Sequence, residues 1–143
     1  MDIFSFHHFG LATKDPKKTD IVLKALGYRP GDKVFDNHQK VFAQAYLHDS
    51  QPMIEVLSDD GEKSPLSNYL AKSSSLIYHI CYRASDLNGA LKAMKEDGLN
   101  FIILSENKPS ELFKGHSVSF IYIRDFGMIE IIEQDSKTTG TSR

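Results

Sequence analysis

The sequence consists of two similar halves. When His8 is placed over His79, the segments HFGLATKDPKKTDIVLKALGY and HICYRASDLNGALKAMKEDGL align without a gap. Farther along the chain, MIEVL at residues 53–57 recurs as MIEII at residues 128–132, at a slightly larger offset. Two halves with the same pattern of apolar and polar residues should form the same series of elements. The repeat therefore constrains the fold more strongly than any single motif does.

Each half is predicted to form a β-α-β-β-β module. An apolar strand carrying a histidine ends near Asp15 or Asp86, and an aspartate there suits the N-cap of a helix. Gly27 and Gly98 suit the C-terminal ends of the two helices. Three strands then follow in each half, predicted near residues 33–35, 41–47 and 53–57 and near 101–104, 118–123 and 128–133. The predicted fold class is α+β.

The 143 residues suit one domain with a sizeable apolar core. We predict a single domain over residues 1–135, made of module 1–57 and module 76–135. The linker, residues 58–75, is rich in turn formers, and a short helix is predicted over 65–71 within it. Residues 136–143, SKTTGTSR, are polar and are expected to form a disordered tail.

Composition excludes several classes of protein. A formal net charge of -2 and the lack of a basic stripe argue against nucleic-acid binding. No run approaches the roughly 20 apolar residues of a membrane span, and the N-terminus does not resemble a signal peptide. Cys81 is the only cysteine, so an intrachain disulfide cannot form and a reducing compartment is expected. We therefore expect a cytoplasmic protein without a membrane or nucleic-acid partner.

Four polar residues occupy equivalent places in the two halves. His8 and Glu55 lie in apolar strands of the first half, and His79 and Glu130 lie in the matching strands of the second. Burying a carboxylate without a partner costs several kcal/mol, and a divalent cation would supply that partner. Two imidazoles and two carboxylates suit Zn, Co, Ni, Mn or Fe(II), with positions left for water or substrate. Each residue alone also fits a hydrogen-bonded core histidine or a solvent-facing glutamate, but the recurrence favours a metal site.

The neighbouring histidine, His7, has a different role in this interpretation. Side chains alternate along a strand, so His7 and His8 point to opposite faces. The residue equivalent to His7 in the second half is Tyr78. We therefore expect His7 to support the packing rather than to bind the metal.

With two β-α-β-β-β modules and four ligand positions, the sequence resembles the vicinal oxygen chelate superfamily, which includes glyoxalase I, methylmalonyl-CoA epimerase, extradiol dioxygenases and bleomycin-resistance proteins. The resemblance extends over residues 6–134. It implies that the two modules form one cupped mixed sheet around one metal ion. The family pattern falls on His8 in HHFGLAT, Glu55 in MIEVL, His79 in YHICY and Glu130 in MIEIIE.

Within the superfamily, the sequence is most similar to the epimerase. HFGLA at residues 8–12 and SPLSNYL at residues 64–70 match segments of that enzyme. Ala12 stands where glyoxalase I has an arginine for the glutathione carboxylate. The epimerase has an acidic second base just before a Gln-Gly-Val segment. This chain has FDNHQKV there, residues 35–41, with Gln-Lys-Val in place of Gln-Gly-Val, and Asp36 is the candidate for the base.

The resemblance implies a metal-dependent isomerase or epimerase that removes the proton α to the carbonyl of an acyl thioester, either on coenzyme A or on a carrier protein. Glu130 is predicted to act as both ligand and base, with Asp36 on the opposite face of the substrate. The alternatives are a glyoxalase I-like lactoylglutathione lyase and a non-enzymatic small-molecule-binding or resistance protein of the same fold. The expected cofactor is one divalent metal ion, either Zn, Co, Ni or Mn, and a homodimer is expected.

Overall fold

The computed structural model describes residues 3–61 and 63–134. The predicted tail, residues 136–143, lies outside the described residues. The order of elements confirms the two β-α-β-β-β modules and the α+β fold class. The described elements are β1 (Phe4–Thr13), α1 (Pro16–Ala25), β2 (Arg29–Asp36), β3 (Val41–Leu47), β4 (Met53–Ser58), α2 (Ser67–Leu70), β5 (Ser75–Ala84), α3 (Leu87–Glu96), β6 (Ile102–Pro109), β7 (Ser117–Ile123) and β8 (Gly127–Glu133).

Three elements differ in length from the prediction. Strand β6 ends at Pro109 rather than at residue 104. Strand β2 begins at Arg29 rather than at residue 33, and it continues past Pro30 through a bulge between Pro30 and Lys33. Proline is tolerated there because β2 pairs on one side only, with β3, so its missing N–H is not needed by a second strand. The helix predicted over residues 65–71 is a single turn, α2.

The ends of the two longer helices follow the predicted signals with one exception. Asp15 caps α1, because its Oδ1 accepts a hydrogen bond of 3.0 Å from the Lys18 N–H. Asp86 occupies the N-cap of α3 without making that bond. The Leu87 N–H there donates instead to Glu133 Oε2 at 2.8 Å, a contact from β8 that local sequence cannot predict. No helix in residues 3–61 and 63–134 is long and apolar enough to cross a membrane.

The described chain divides into two compact units. The 8–78 unit holds strands in the order β2-β3-β4-β1, with β1 and β4 parallel and the other neighbours antiparallel. The second unit comprises residues 3–7 and 79–134 and is called the 79–134 unit. It holds strands in the order β5-β8-β7-β6, with β5 and β8 parallel and the other neighbours antiparallel. The predicted domain boundaries stay a prediction.

Each unit packs its long helix against one face of its strands. In the 8–78 unit, Leu23 of α1 is buried with Tyr46 and Val56. In the 79–134 unit, Leu91 of α3 is buried with a cluster that includes Ile131. Because side chains alternate along a strand, the glutamates next to Val56 and Ile131 point to the face away from the helix. That face carries the predicted ligands.

Candidate functional site

In the 8–78 unit, His8 and Glu55 form a buried pair. The strands that carry them, β1 and β4, run parallel, and Gly10 is the register partner of Glu55. His8 lies two residues before Gly10, so its side chain points to the same face as that of Glu55. His8 Nε2 lies 3.2 Å from Glu55 Oε1. His8 is 0% exposed and Glu55 is 5% exposed, so bulk water has almost no access to either side chain.

The 79–134 unit contains the same pair in the same relation. Strands β5 and β8 run parallel, and Cys81 is the register partner of Glu130. His79 lies two residues before Cys81, as His8 lies two residues before Gly10. His79 Nε2 lies 3.2 Å from Glu130 Oε1, and both side chains are buried. The structure thus brings together His8 with Glu55 and His79 with Glu130.

The donor atoms of each pair fit a shared cation. Two atoms that bind one ion at about 2.1 Å lie about 3.0 Å apart at a right angle and about 3.4 Å apart at a tetrahedral angle. The Nε2 to Oε1 separation of 3.2 Å falls between these values in both pairs. In the His8–Glu55 pair this contact is also a hydrogen bond between the imidazole and the carboxylate. All four residues offer a ligand atom of the kind that divalent transition metals prefer.

The neighbours of the two glutamates differ in size. Glu55 is flanked in the register by Gly10 of β1 and Ala45 of β3. Glu130 is flanked at the matching places by Cys81 of β5 and by Phe120 of β7. The Phe120 ring also meets the His79 ring edge-on, with 5.5 Å between centroids. The face around Glu55 is therefore lined by small residues, and the face around Glu130 is filled by larger ones.

Asp36, the predicted second base, lies at the end of β2 and is buried. Its Oδ1 accepts hydrogen bonds from the N–H groups of His38 and Gln39 at 2.9 and 3.0 Å. Its Oδ2 accepts a third from Gln39 Nε2 at 3.1 Å. These bonds shape the turn to β3, where Lys40 has a φ of +58°. Asp36 thus has a structural role that the sequence analysis missed, and its role as a base stays a prediction.

Behind Glu55, on the helix side of the sheet, a polar network joins α1 to β3. Tyr46 Oη donates to Asp20 Oδ1 at 2.7 Å, and Lys24 Nζ lies 2.9 Å from Asp20 Oδ2. The Lys24 ammonium and the Tyr46 hydroxyl together hold the pKa of Asp20 below its usual value. Burial and the Asp20 carboxylate raise the pKa of Tyr46. The spacing of Asp20 and Lys24 is a visible sequence signal, but the sequence analysis did not identify the network.

His7 is buried in the 79–134 unit. Its ring meets the Phe113 ring edge-on, with 5.1 Å between centroids. This packing contact agrees with the supporting role that the sequence predicted for it.

A family model described as the glyoxalase/bleomycin resistance protein/dioxygenase superfamily matches residues 7–120. The match covers most of the chain and includes His8, Glu55 and His79, and it ends ten residues before Glu130. No curated protein matches the sequence significantly.

Solved structures with the same fold include epimerases. The methylmalonyl-CoA epimerase from Mycobacterium tuberculosis has a TM-score of 0.75 at 18% identity, over 92% of this chain and 89% of that chain. The Streptomyces coelicolor methylmalonyl-CoA epimerase in complex with 2-nitronate-propionyl-CoA has a TM-score of 0.74 at 17% identity, over 92% and 97%. A hypothetical protein from Bacillus halodurans has a TM-score of 0.78 at 20% identity, over 94% and 96%. At these identities the similarity shows the fold alone.

Proposed function

The chain belongs to the glyoxalase/bleomycin resistance protein/dioxygenase superfamily, and we propose that it is a metal-dependent isomerase that removes the proton α to the carbonyl of an acyl thioester. The observation that carries this proposal is the duplicated, buried His–Glu pair. Family and fold agree with the resemblance seen in the sequence. They do not define the reaction, because one fold hosts many activities.

We assign one divalent cation to His8, Glu55, His79 and Glu130. The support is that each pair has the same register relation and the same 3.2 Å separation of donor atoms. Two nitrogen and two carboxylate donors suit Zn, Co, Ni or Mn. Four protein ligands leave one or two positions in a five- or six-coordinate ion. A cation bound there supplies a Lewis acid that polarises the carbonyl oxygen of a substrate.

Within this proposal, Glu130 accepts the α-proton at a carboxylate oxygen. Its neighbours Cys81 and Phe120 are buried, so this carboxylate lies in a place that largely excludes water. Inversion of the carbon centre needs a second group on the opposite face, and Asp36 is the assigned candidate.

The thioester is the proposed substrate class for two reasons. Ala12 is fully buried and stands where glyoxalase I has the arginine for glutathione, so this position offers no cation to a glutathione carboxylate. The Mycobacterium tuberculosis and Streptomyces coelicolor structures with this fold are methylmalonyl-CoA epimerases, and the Streptomyces coelicolor structure holds 2-nitronate-propionyl-CoA. The acyl group would be carried by coenzyme A or by a carrier protein.

The test is exchange of the α-proton in deuterated water. The protein is loaded separately with Zn, Co, Ni and Mn and mixed with a panel of 2-substituted acyl-CoA thioesters. We expect deuterium to enter the α position, as followed by mass spectrometry. His8→Ala should lose both the metal and the exchange. Asp36→Asn keeps the carbonyl oxygen that can accept turn hydrogen bonds, so it should retain the metal and slow inversion more than exchange.

The alternatives make different predictions in the same panel. Formation of lactoylglutathione from the methylglyoxal hemithioacetal would instead identify a glyoxalase. Stoichiometric metal without exchange on any thioester would contradict the isomerase. A protein that binds none of these metals would be the non-enzymatic binder.

A further inference from the structure

The helix sides of the two units are filled by side chains of different size. In the internal repeat, Tyr28 and Leu99 occupy equivalent places, each directly after the glycine that follows a long helix. Tyr28 is 7% exposed and shares a buried cluster with Leu23 and Val56. Leu99 is 40% exposed. A buried aromatic ring in the 8–78 unit therefore corresponds to a smaller and partly exposed side chain in the 79–134 unit.

A cavity of about 210 Å³ lies on the helix side of the 79–134 unit. All of the residues that line it belong to that unit. They are Phe4, Tyr82, Met94, Phe126, Ile129 and Ile131. Apart from the Tyr82 hydroxyl and the Met94 sulfur, these side chains consist of hydrocarbon. An uncharged ligand suits such a cavity, because a charged one would lose its hydration without gaining a partner.

The cavity is the counterpart of the space that the Tyr28 ring fills. Three of its lining residues are the repeat equivalents of residues that pack together with Tyr28. They are Met94, Ile129 and Ile131, which correspond to Leu23, Ile54 and Val56. The same three positions thus surround a phenol ring in one unit and a cavity in the other.

The aromatic side chains at the cavity favour a flat ring as the ligand. The rings of Phe4 and Tyr82 meet edge-on, with 6.2 Å between centroids. Phe126 lies between β7 and β8 and is 62% exposed, so a ligand against its ring would cover apolar surface that is now in water. Aromatic rings attract one another edge to face, and a methionine sulfur also makes favourable contacts with them.

We propose that this cavity binds an uncharged monocyclic aromatic molecule of the para-substituted phenol class. An apolar cavity of about 150 Å³ in a protein core is large enough for benzene, so this larger cavity has room for a substituent. The phenol class follows from Tyr28, whose ring is buried while its hydroxyl donates to the Pro52 carbonyl at 2.9 Å. The ligand replaces in one unit the ring that the chain itself supplies in the other.

The cavity is separate from the assigned metal ligands. Ile129 and Ile131 flank Glu130 in β8. Because side chains alternate along a strand, the two isoleucines point to the face opposite that of Glu130. The proposal therefore does not depend on the proposed enzymatic function, and its test requires neither a metal nor an activity.

The test is a titration of the full chain with p-cresol, the side-chain analogue of tyrosine, followed by NMR of labelled methyl groups. Methyl signals of Met94, Ile129 and Ile131 should shift in a saturable manner, with a dissociation constant of about 1 mM or lower for a ligand of this size. The methyl groups of Met53 and Ile54 in the 8–78 unit are the matched control and should not shift. The non-aromatic analogue 4-methylcyclohexanol should bind several-fold more weakly.

A substitution that fills the cavity provides the second measurement. Leu99→Tyr places a phenol ring at the position equivalent to Tyr28, so it should raise the dissociation constant of p-cresol more than tenfold. It should also raise the urea midpoint of the ligand-free protein. Leu26→Tyr is the matched control, because Leu26 is 59% exposed at the end of α1 and does not line the cavity. This control should bind p-cresol like the unaltered chain.

Several outcomes would overturn the proposal. These are the lack of a saturable shift up to about 10 mM p-cresol, a shift of Ile54 rather than Ile129, and an unchanged dissociation constant in a folded Leu99→Tyr variant. Binding of 4-methylcyclohexanol as tight as that of p-cresol would overturn the aromatic class of ligand. If Leu99→Tyr fails to fold, the methyl titration of the unaltered chain decides the question by itself.

Discussion

The 8–78 unit and the 79–134 unit carry the same His–Glu pair in different surroundings. In both, the histidine lies two residues before the register partner of the glutamate, and Nε2 and Oε1 are 3.2 Å apart. The flanking residues are Gly10 and Ala45 in the first unit and Cys81 and Phe120 in the second. The ligand geometry is repeated while the neighbouring positions are not. The difference predicts unequal roles for Glu55 and Glu130.

The helix sides of the two units differ as well. In the 8–78 unit, Tyr46 of β3 binds Asp20 of α1 through a hydrogen bond. In the 79–134 unit, α3 packs through Leu87 and Leu91 against apolar residues such as Ile121. Helix α1 is therefore attached partly by a network of charged and hydroxyl side chains, whereas α3 is attached by apolar packing and by the bond from the Leu87 N–H to Glu133 Oε2. The Asp20 carboxylate should accordingly make the support behind Glu55 depend on pH.

The largest effect should come from removing one carboxylate at a time. Glu130→Gln should reduce α-proton exchange by about 10²–10⁴-fold, the usual contribution of a general base. Glu55→Gln is the matched change in the other unit and should reduce exchange much less, because Glu55 is assigned as a ligand only. Exchange rates and metal content are measured for both variants. Equal losses of exchange at equal metal content would contradict the assignment of Glu130.

The next effect concerns the residue that flanks Glu130. Phe120→Ala should lower the free energy of unfolding by about 3–5 kcal/mol, because it empties the space of a buried aromatic ring. It should also weaken metal binding, since the ring packs against His79. Ala45→Gly, at the equivalent place, should cost only about 0.5–1 kcal/mol. Urea unfolding and metal titration are measured for both variants. Similar losses of unfolding free energy and of metal affinity would show that the surroundings of Glu55 and Glu130 are equivalent.

A smaller effect is expected when Glu55 is given the large aromatic neighbour that Glu130 has. Ala45→Phe should cost about 1–3 kcal/mol of stability through overpacking. If the small residues beside Glu55 provide room for substrate, the variant should also raise KM by about tenfold, which corresponds to about 1.4 kcal/mol. Ala45→Ser is the control of nearly unchanged size. An unchanged KM in a folded, metal-loaded Ala45→Phe protein would place the substrate elsewhere.

The smallest effect should appear in acid. The pKa of Asp20 is below its ordinary value of 3.8 in the folded protein. The ionised carboxylate therefore stabilises the fold at neutral pH, and this contribution is lost as the pH falls below that value. Tyr46→Phe removes one of the two groups that lower this pKa.

The difference in urea midpoint between pH 6 and pH 3 should consequently be smaller in Tyr46→Phe than in the unaltered protein. Tyr28→Phe is the matched control, because the Tyr28 hydroxyl donates to the Pro52 carbonyl and not to a carboxylate. An equal difference in Tyr46→Phe and the unaltered protein would show that the Tyr46 hydrogen bond does not contribute to acid stability through Asp20.

Much of the candidate site follows from the sequence because its signals are local or repeated. The alternation of side chains assigns His8 and Glu55 to strand positions, and the repeat assigns the same places to His79 and Glu130. The order of elements follows from the same pattern. The glycines after α1 and α3 have positive φ angles, as their place at the helix ends predicts.

The sequence could not predict which residues flank each ligand. The neighbours Ala45 and Phe120 come from strands that are distant in sequence from β1 and β5, and their position depends on strand register. In the same way, Glu133 rather than Asp86 accepts the hydrogen bond from the N–H group at the start of α3. Asp36 accepts hydrogen bonds from N–H groups of the turn that follows it. These contacts are decided when strands and helices pack.

The sequence alone therefore determined the repeated modules and the four candidate ligands, because both follow from short-range periodicity and from the similarity of the two halves. The tertiary structure decided the pairing of each histidine with its glutamate, the unequal surroundings of the two pairs and the cavity beside α3. Register and burial depend on contacts between residues far apart in the chain, so they arise only when the strands are assembled.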